Sequence, residues 1–427
     1  MAETNDFKVI IAGGSIIGLT LANALERAGI DYLLLEKRQI APNLGASISL
    51  LSHNSRVYEQ LGVIDQFNAA TVPLLNRLHF TQDGYLFEDG GVLRGLSRSF
   101  RFMERRFHLE TLYNNLQDKS KVHSNVGVQS FEETASGVTV LATNGERYEG
   151  SILVGADGAH STIRQLLSEA IADTDPVRAE NLRSPFTASY RSIFATSQNI
   201  NLGAQRPFIP DGTVNVAYHR GVSGVAASGV EGLVFWFLFV KNDEITRTPD
   251  CPRYSEKDAE AAIEQFGHLN LGADYTFRDL WNSKTLAAMF PMEEGVLKAP
   301  WNNGGRVVLL GDSVSKTTVN AGIGGNTHVE GVCHFMNGLV GLVKQHHAPS
   351  TKEITEMFNR YETKQRPRSE LILKLSAFVT RYEAMETWWL RLLMPIMRLL
   401  PDGLVSTLLG KHFAAAPLFD FLPEPDP

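Results

Sequence analysis

The chain begins with a short apolar run of buried-strand character, residues 7–12, and Leu19–Ala28 continues with apolar residues at helical spacing. Gly29 ends that helix. DYLLLEKR, residues 31–38, then reads as a second strand closing on Glu36, so the order predicts a βαβ opening. APNLGASISLLSHNSRVYEQLG, residues 41–62, reads as a loop followed by a helix. Around Glu104–Leu116, the residues Leu109, Leu112, Tyr113 and Leu116 recur at helical spacing. GVTVLATNGERYEGSILVGADG, residues 137–158, alternates in strand fashion with a turn at Thr143, Asn144 and Gly145.

From about residue 175 to 300 the pattern changes to FTASYRSIFATS, TVNVAYHRG and GLVFWFLFVKND, strands separated by turns containing Gly and Asn. RVVLLGD, residues 306–312, returns to buried-strand character, a helix is predicted from near Asn326, and the chain is mainly helical after Pro349. The resulting expectation is an α/β protein: a Rossmann-like βαβ unit over 1–175 and 300–350, interleaved with a β-rich unit over 176–299, and a helical segment over 351–427.

Composition adds exclusions. With 43% hydrophobic and 20% charged residues and a net charge of −7, the chain has a globular balance and no general nucleic-acid footprint. Cys251 and Cys333 have neither a disulfide framework nor metal-ligand spacing, so a reduced intracellular compartment is expected. His328 and His334 are six apart and do not share the face of a helical metal pair, so no metal is expected. The first apolar run follows acidic MAETND, unlike a secretory leader, and no uncharged apolar stretch reaches the length of a membrane span.

The candidate chemistry starts at Gly13-Gly14-Ser15-Ile16-Ile17-Gly18. A glycine turn lets the backbone approach a pyrophosphate, and the following helix offers free N–H groups and a positive dipole end. Ser15 stands where the middle glycine of G-x-G-x-x-G is usual, and Glu36 stands where an acid accepts from the adenosine ribose.

Two further segments, LVGADGAHSTIR with Asp157 and Gly158, and RVVLLGDSVSKTTVNAGIGGN with Asp312, complete a resemblance to the class A flavoprotein monooxygenases. The resemblance implies FAD, with reduced NAD(P)H and oxygen as co-substrates. It places Gly13, Ser15, Gly18, Glu36, Gly45, Arg106, Asp157, Gly158, Asp312, Gly324, Gly325 and Asn326 at the cofactor. Arg164 is read either as a phosphate ligand or as the partner of an acid. GGSIIGLTLA, APNLGASISLL, VFWFLFVKND and YETKQRPR narrow the likeness to the fungal monooxygenases of meroterpenoid and indole-diterpene pathways, and TRYEAMETWWLRLLMPIMRLLPD extends it toward the C-terminus. Those enzymes epoxidise or hydroxylate prenylated, largely apolar substrates. By similarity, Arg191 and Tyr218 become candidates for orienting substrate or supplying a proton.

Within the third segment the family pattern G-D-S-x-H-K-x-x-P-N-x-G-Q-G is broken by Ser315, Val319 and Ile323. This motivates a second reading, a redox-neutral isomerase or cyclase on the same scaffold, and beyond it a flavoprotein that only carries a ligand. Trp388, Trp389, Leu390, Leu392, Leu393 and Met394, with Arg391 and Arg398, read either as a membrane-surface helix or as a helix packed on the protein and kinked near Pro395. A cytoplasmic enzyme, at most peripheral to an intracellular membrane, is expected. The sequence selects neither NADH nor NADPH and leaves the oligomeric state open.

Overall fold

The computed structural model describes residues 7–43, 47–96, 98, 100–201, 203, 205–397 and 399–425. Gly45 and Arg398 lie outside the described residues. Along the chain, β1 (Lys8–Ala12), α1 (Ile16–Ala28) and β2 (Asp31–Glu36) form the expected opening. They are followed by α2 (Arg105–Asn115), β3 (Ile152–Gly155) and α3 (Thr162–Ala170). Next come β4 (Thr187–Gln198), β5 (Thr213–His219) and β6 (Leu233–Arg247). β7 (Val307–Leu309) leads to α4 (Gly324–Gln345), α5 (Thr351–Glu383), α6 (Trp388–Met397) and α7 (Asp402–Ala414).

Among the described residues the first sheet is parallel, in the order β7, β3, β1, β2, Val122–Ser124. Its central strands are apolar in their middles because both faces are covered, as parallel sheets require, whereas the edge strand Val122–Ser124 is polar and partly exposed. β7 arrives from 150 residues downstream and seats its Val307 beside Leu153 of β3, which delivers Asp312 to the same sheet end as the glycine turn.

The second sheet places β4, β6, Val222–Val230 and β5 side by side, flanked by Lys284–Val296 on one edge and by Asn76–Thr81 and Gly84–Glu88 on the other. Residues 76–88 therefore belong to this sheet, not to the βαβ unit in which the sequence boundaries put them. Their pairing to β5 is parallel and non-local, which no local pattern reveals. One face of the sheet packs under helices Glu256–Phe266 and Phe277–Asn282, burying Ile193, Trp236, Leu238, Ile263 and Phe277. The opposite face carries Tyr190, Phe194, Phe237, Phe239 and Val225, and meets Val319 from the loop beyond Asp312.

The C-terminal helices close over that face. α5 begins in a capping box, Ser350 with Glu353, and α6 lays Leu390 and Met394 on Val216, Tyr218 and Tyr382. Trp388 and Leu392 on α6 remain 70% and 62% exposed, so the helix packs along one side and presents apolar residues on the other. No helix among the described residues is long and apolar enough to cross a membrane.

Candidate functional site

At the end of β1 the chain turns through Gly13 at φ +110°, and its N–H donates to Leu35 O at 2.8 Å. A Cβ there would run into the carbonyl of Ala156 on the neighbouring strand, and one at Gly18 into the carbonyl of Gly13, so both positions demand glycine. Gly14 N donates to Glu36 Oε2 at 2.6 Å, and Arg38 N to Oε1 at 2.8 Å, which fixes the acid at the end of β2 against the turn. Ser15 is the N-cap of α1 in extended conformation, yet its hydroxyl does not cap the helix and no acid sits in the first turn. Within its first turn the positive end of α1 thus has no acid of its own, and the neighbouring carboxylate, Glu36, is tied to Gly14 N.

Arg105 reaches this end. As the first residue of α2 it donates from Nη2 to Ser15 Oγ at 2.7 Å. Its pKa is lowered by burial, with Asp312 and Glu36 acting the other way. It has no ion pair among the described residues. A part-buried guanidinium beside the uncapped start of α1 offers the donors and the charge that a diphosphate needs. This arrangement fits FAD.

Arg106, the arginine the sequence pointed to, is elsewhere: one residue on, it turns about 100° around the helix and pairs with Glu110 at 2.7 Å on an exposed face. A doublet of arginines at a helix start carries no local mark of which one faces inward.

Asp312 follows Gly311 and is held by Lys316 and His328. Lys316 pairs with Oδ2, and His328 Nδ1 lies 2.9 Å from Oδ1. Burial alone would raise the Asp312 carboxyl, but Lys316 and the His328 imidazole hold it well below the usual carboxylate range. Asp312 therefore stays an ionised acceptor, as the binding of ribityl hydroxyls needs. Nothing in the sequence argument marked Lys316 or gave His328 more than a core role.

Other expected residues have more local partners. Asp157 accepts from Ser161 Oγ at 2.5 Å and from Ile163 N at 3.1 Å, so its carboxylate caps α3, with Gly158 at φ +87° making the turn. Arg164 is neither a free phosphate ligand nor the partner of an acid. It is buried and donates to the carbonyls of Leu182 and Ser313, both at 2.8 Å, and of Ala159. Gly324, Gly325 and Asn326 form the first turn of α4. Asn326 is saturated within the protein: its Oδ1 accepts from Leu51 N at 3.0 Å and from Asn54 Nδ2 at 3.1 Å, and its Nδ2 donates to Ser49 O at 3.0 Å and to Gly322 O at 3.1 Å. Its side chain thus ties the turn to strand Ser47–Leu50.

The substrate-sheet candidates separate. Arg191 points to the face under helices Glu256–Phe266 and Phe277–Asn282, where Nη1 donates to Asn242 Oδ1 at 3.0 Å; the alternation of β4 gives the opposite face to Tyr190. Tyr218 does face the Val319 side, against Tyr382 and Leu390. Asp89 can only accept, so His79 Nε2 donates to it at 2.9 Å and Nδ1 becomes the acceptor for the Tyr218 hydroxyl at 2.8 Å. The three departures from the family pattern are all absorbed: Ser315 contacts His328, Val319 packs with Tyr190 and Phe237, and Ile323 packs with Leu51, Ile372 and Phe413.

A family profile described as FAD binding domain matches residues 6–204. FAD-dependent monooxygenase cdmI of Talaromyces verruculosus is 32% identical over all of this chain and 89% of its own length. FAD-dependent monooxygenase janM of Penicillium janthinellum is 34% identical over 99% and 86%. Two solved structures share the fold. Klebsiella pneumoniae HpxO in complex with FAD and uric acid has a TM-score of 0.75 at 17% identity, covering 96% of this chain and 97% of that one. FqzB has a TM-score of 0.71 at 16% identity, covering 97% and 96%. Both the phosphate-facing turn and the full-length likeness lead to one assignment: this chain is a flavoprotein of the fungal FAD-dependent monooxygenase family.

Proposed function

We propose that the chain uses NAD(P)H and oxygen to epoxidise or hydroxylate an apolar, prenylated or polycyclic natural-product intermediate. The observation that carries this reading is the aromatic wall of the second sheet. Tyr190, Phe194, Phe237 and Phe239 line the face that meets Val319, next to the loop leading from Asp312 to α4. Such a wall recognises a hydrocarbon skeleton by area and shape, not by charge.

FAD, when bound, supplies oxygen activation. The chain's part is to hold, orient and keep dry. Gly13, Ser15, Gly18 and Arg105 hold the diphosphate, Glu36 accepts from the ribose, and Asp312 accepts from the ribityl chain. The C-terminal helices exclude water from the aromatic face. Arg105 takes the role that the sequence gave to Arg106. Tyr218 remains a candidate for positioning substrate, and Arg191, on the far face, does not.

The exposed side of α6, with Trp388, Trp389, Leu392 and Ile396, supports peripheral contact of a cytoplasmic enzyme with an intracellular membrane, from which a lipophilic substrate would arrive. Sedimentation with neutral and anionic liposomes, for the native chain against Trp388→Ser/Trp389→Ser, tests this. Equal sedimentation of both would overturn it.

The oxygenation reading is tested by incubating the FAD-loaded protein with NADPH or NADH and prenylated candidates under isotopically labelled oxygen. One labelled oxygen atom per product molecule is expected. An isomeric product formed without oxygen uptake would sink it in favour of redox-neutral chemistry. The relatives, named as monooxygenases, give that second reading no support.

A further inference from the structure

His328 enters the site from an unexpected direction. It is the fifth residue of α4, with its side chain only 5% exposed, and it contacts two residues of the Asp312 loop at once. Nδ1 lies 2.9 Å from Asp312 Oδ1, and Nε2 lies 2.9 Å from Ser315 Oγ. The carboxylate accepts only, so Nδ1 carries the proton toward it; in the neutral ring Nε2 then accepts from the Ser315 hydroxyl. Lys316 engages the other carboxylate oxygen. Asp312 is thus gripped from both sides within the protein, and its remaining lone pairs are the ones free to accept from a ligand.

We infer that His328 is the positioning residue of Asp312, supplying from α4 the imidazole that the family pattern places at position 315. The inference rests on the reading of Asp312 as an FAD ligand. One observation and two steric consequences of it converge. Ser315 is buried, and its hydroxyl is in hydrogen-bond contact with the imidazole. A histidine at 315 would fill the volume that the His328 ring now occupies, so the two arrangements exclude each other in a close-packed interior. And the small Ser315 is what leaves room for the ring reaching in from the helix. Loss at one position and gain at the other form a single exchange, which explains how the departure at 315 leaves the Asp312 grip intact.

The test compares the FAD affinity of apoprotein variants, read by flavin fluorescence, together with the reduction potential of bound flavin. His328→Ala should weaken FAD binding by about tenfold or more, the scale of losing a hydrogen bond to a charged group, and shift the potential. The swap Ser315→His/His328→Ala should recover most of that loss, whereas Ser315→His alone, with both rings present, should overpack the site and lower thermal stability. Ser315→Ala, which removes only the support of the ring, should give a smaller loss in the same direction and serves if His328→Ala does not fold. Unchanged FAD affinity and potential in both His328→Ala and Ser315→Ala would overturn the inference, as would a swap no better than His328→Ala alone. Asp312→Asn separates the levels. If it binds FAD normally, the reading of Asp312 as a ligand fails; if it loses FAD while the His328 variants do not, only the inference falls.

Discussion

Arg105 of α2 and Ser15 at the N-cap of α1 meet at 2.7 Å although ninety residues separate them. The contact puts Arg105, the inward member of the Arg105–Arg106 doublet, onto the positive end of a helix. Like signs held together are unfavourable, and with Glu36 and Asp312 nearby but not paired to Arg105 the balance improves when an anion arrives.

That relationship predicts opposite outcomes for adjacent arginines. Arg105→Met should weaken FAD binding by about one to two orders of magnitude, as expected on removing a charge-assisted contact to phosphate. Arg106→Ala removes an exposed pair with Glu110 at consecutive helical turns, worth about 0.3–0.5 kcal/mol, and should leave FAD affinity unchanged. Titration of both apoproteins with FAD checks the pair.

Arg164 should behave as a structural clip. Its guanidinium satisfies the carbonyls of Ala159, Leu182 and Ser313 and lies over the Phe186 ring at 5.2 Å. Burial lowers its pKa to about 10, so it stays charged at neutral pH. Arg164→Met strands three carbonyl acceptors at about 1–3 kcal/mol each where they stay dry, and denaturant unfolding should show a loss of several kcal/mol. Loss of FAD or NADPH affinity at unchanged stability would instead mark a ligand contact.

The sequence made the phosphate turn and the sheet order around it legible because those depend on local chemistry: glycine where a Cβ has no room, an acid at a strand end, apolar runs for covered strands. What it hid is non-local or a matter of phase. Arg105 and Arg106 differ only in rotation about α2, and Tyr190 and Arg191 only in which face of β4 they take, so an error of one residue exchanges a site residue for a bystander. Strand Val222–Val230 is built of Val, Ala, Ser and Gly buried on both faces, and it shows no alternation to read. Helix Glu256–Phe266, by contrast, is announced by the capping box Ser255 with Asp258 inside a stretch read as β-rich.

The two faces of the second sheet give a third prediction. Arg191→Ala breaks only the bond to Asn242 on the far face and should leave substrate-dependent NAD(P)H consumption within about twofold, with under about 1 kcal/mol of stability lost. Tyr218→Phe leaves His79 Nδ1 without its donor in a buried setting, a loss of about 1–3 kcal/mol, and alters the wall beside Tyr382. Its effect on turnover should exceed that of Arg191→Ala in the same assay. The reverse order would return Arg191 to the site.

Glu383 yields the pH dependence. The carboxyl is buried at the end of α5 and accepts from Asn320 Nδ2 at 2.6 Å, with no ion pair among the described residues. Desolvation pushes its pKa up to about 8, against a weaker pull from Asn320 and Arg77. Between its ordinary 4.5 and about 8 the unfolded chain has released this proton while the folded chain keeps it, so stability falls as pH rises through that window and levels off above it. Below pH 6.5 the trend is masked. Buried His108 and half-buried His334, lowered to about 3 and about 4, add stability with rising pH over part of the same range, as do His79, His219 and His412, which burial also lowers. From pH 6.5 to 8 the histidines of the unfolded chain finish titrating and still oppose the trend, so the Glu383 contribution, up to about 2 kcal/mol for one proton over that span, is read against a variant that lacks it. Calorimetric unfolding across this range should show native stability falling relative to Glu383→Gln, which keeps the shape and the bond to Asn320 without the proton. A difference between the native chain and Glu383→Gln that stays constant from pH 6.5 to 8 would mean that Glu383 ionises as an ordinary carboxylate, and that water or a nearby cation reaches it.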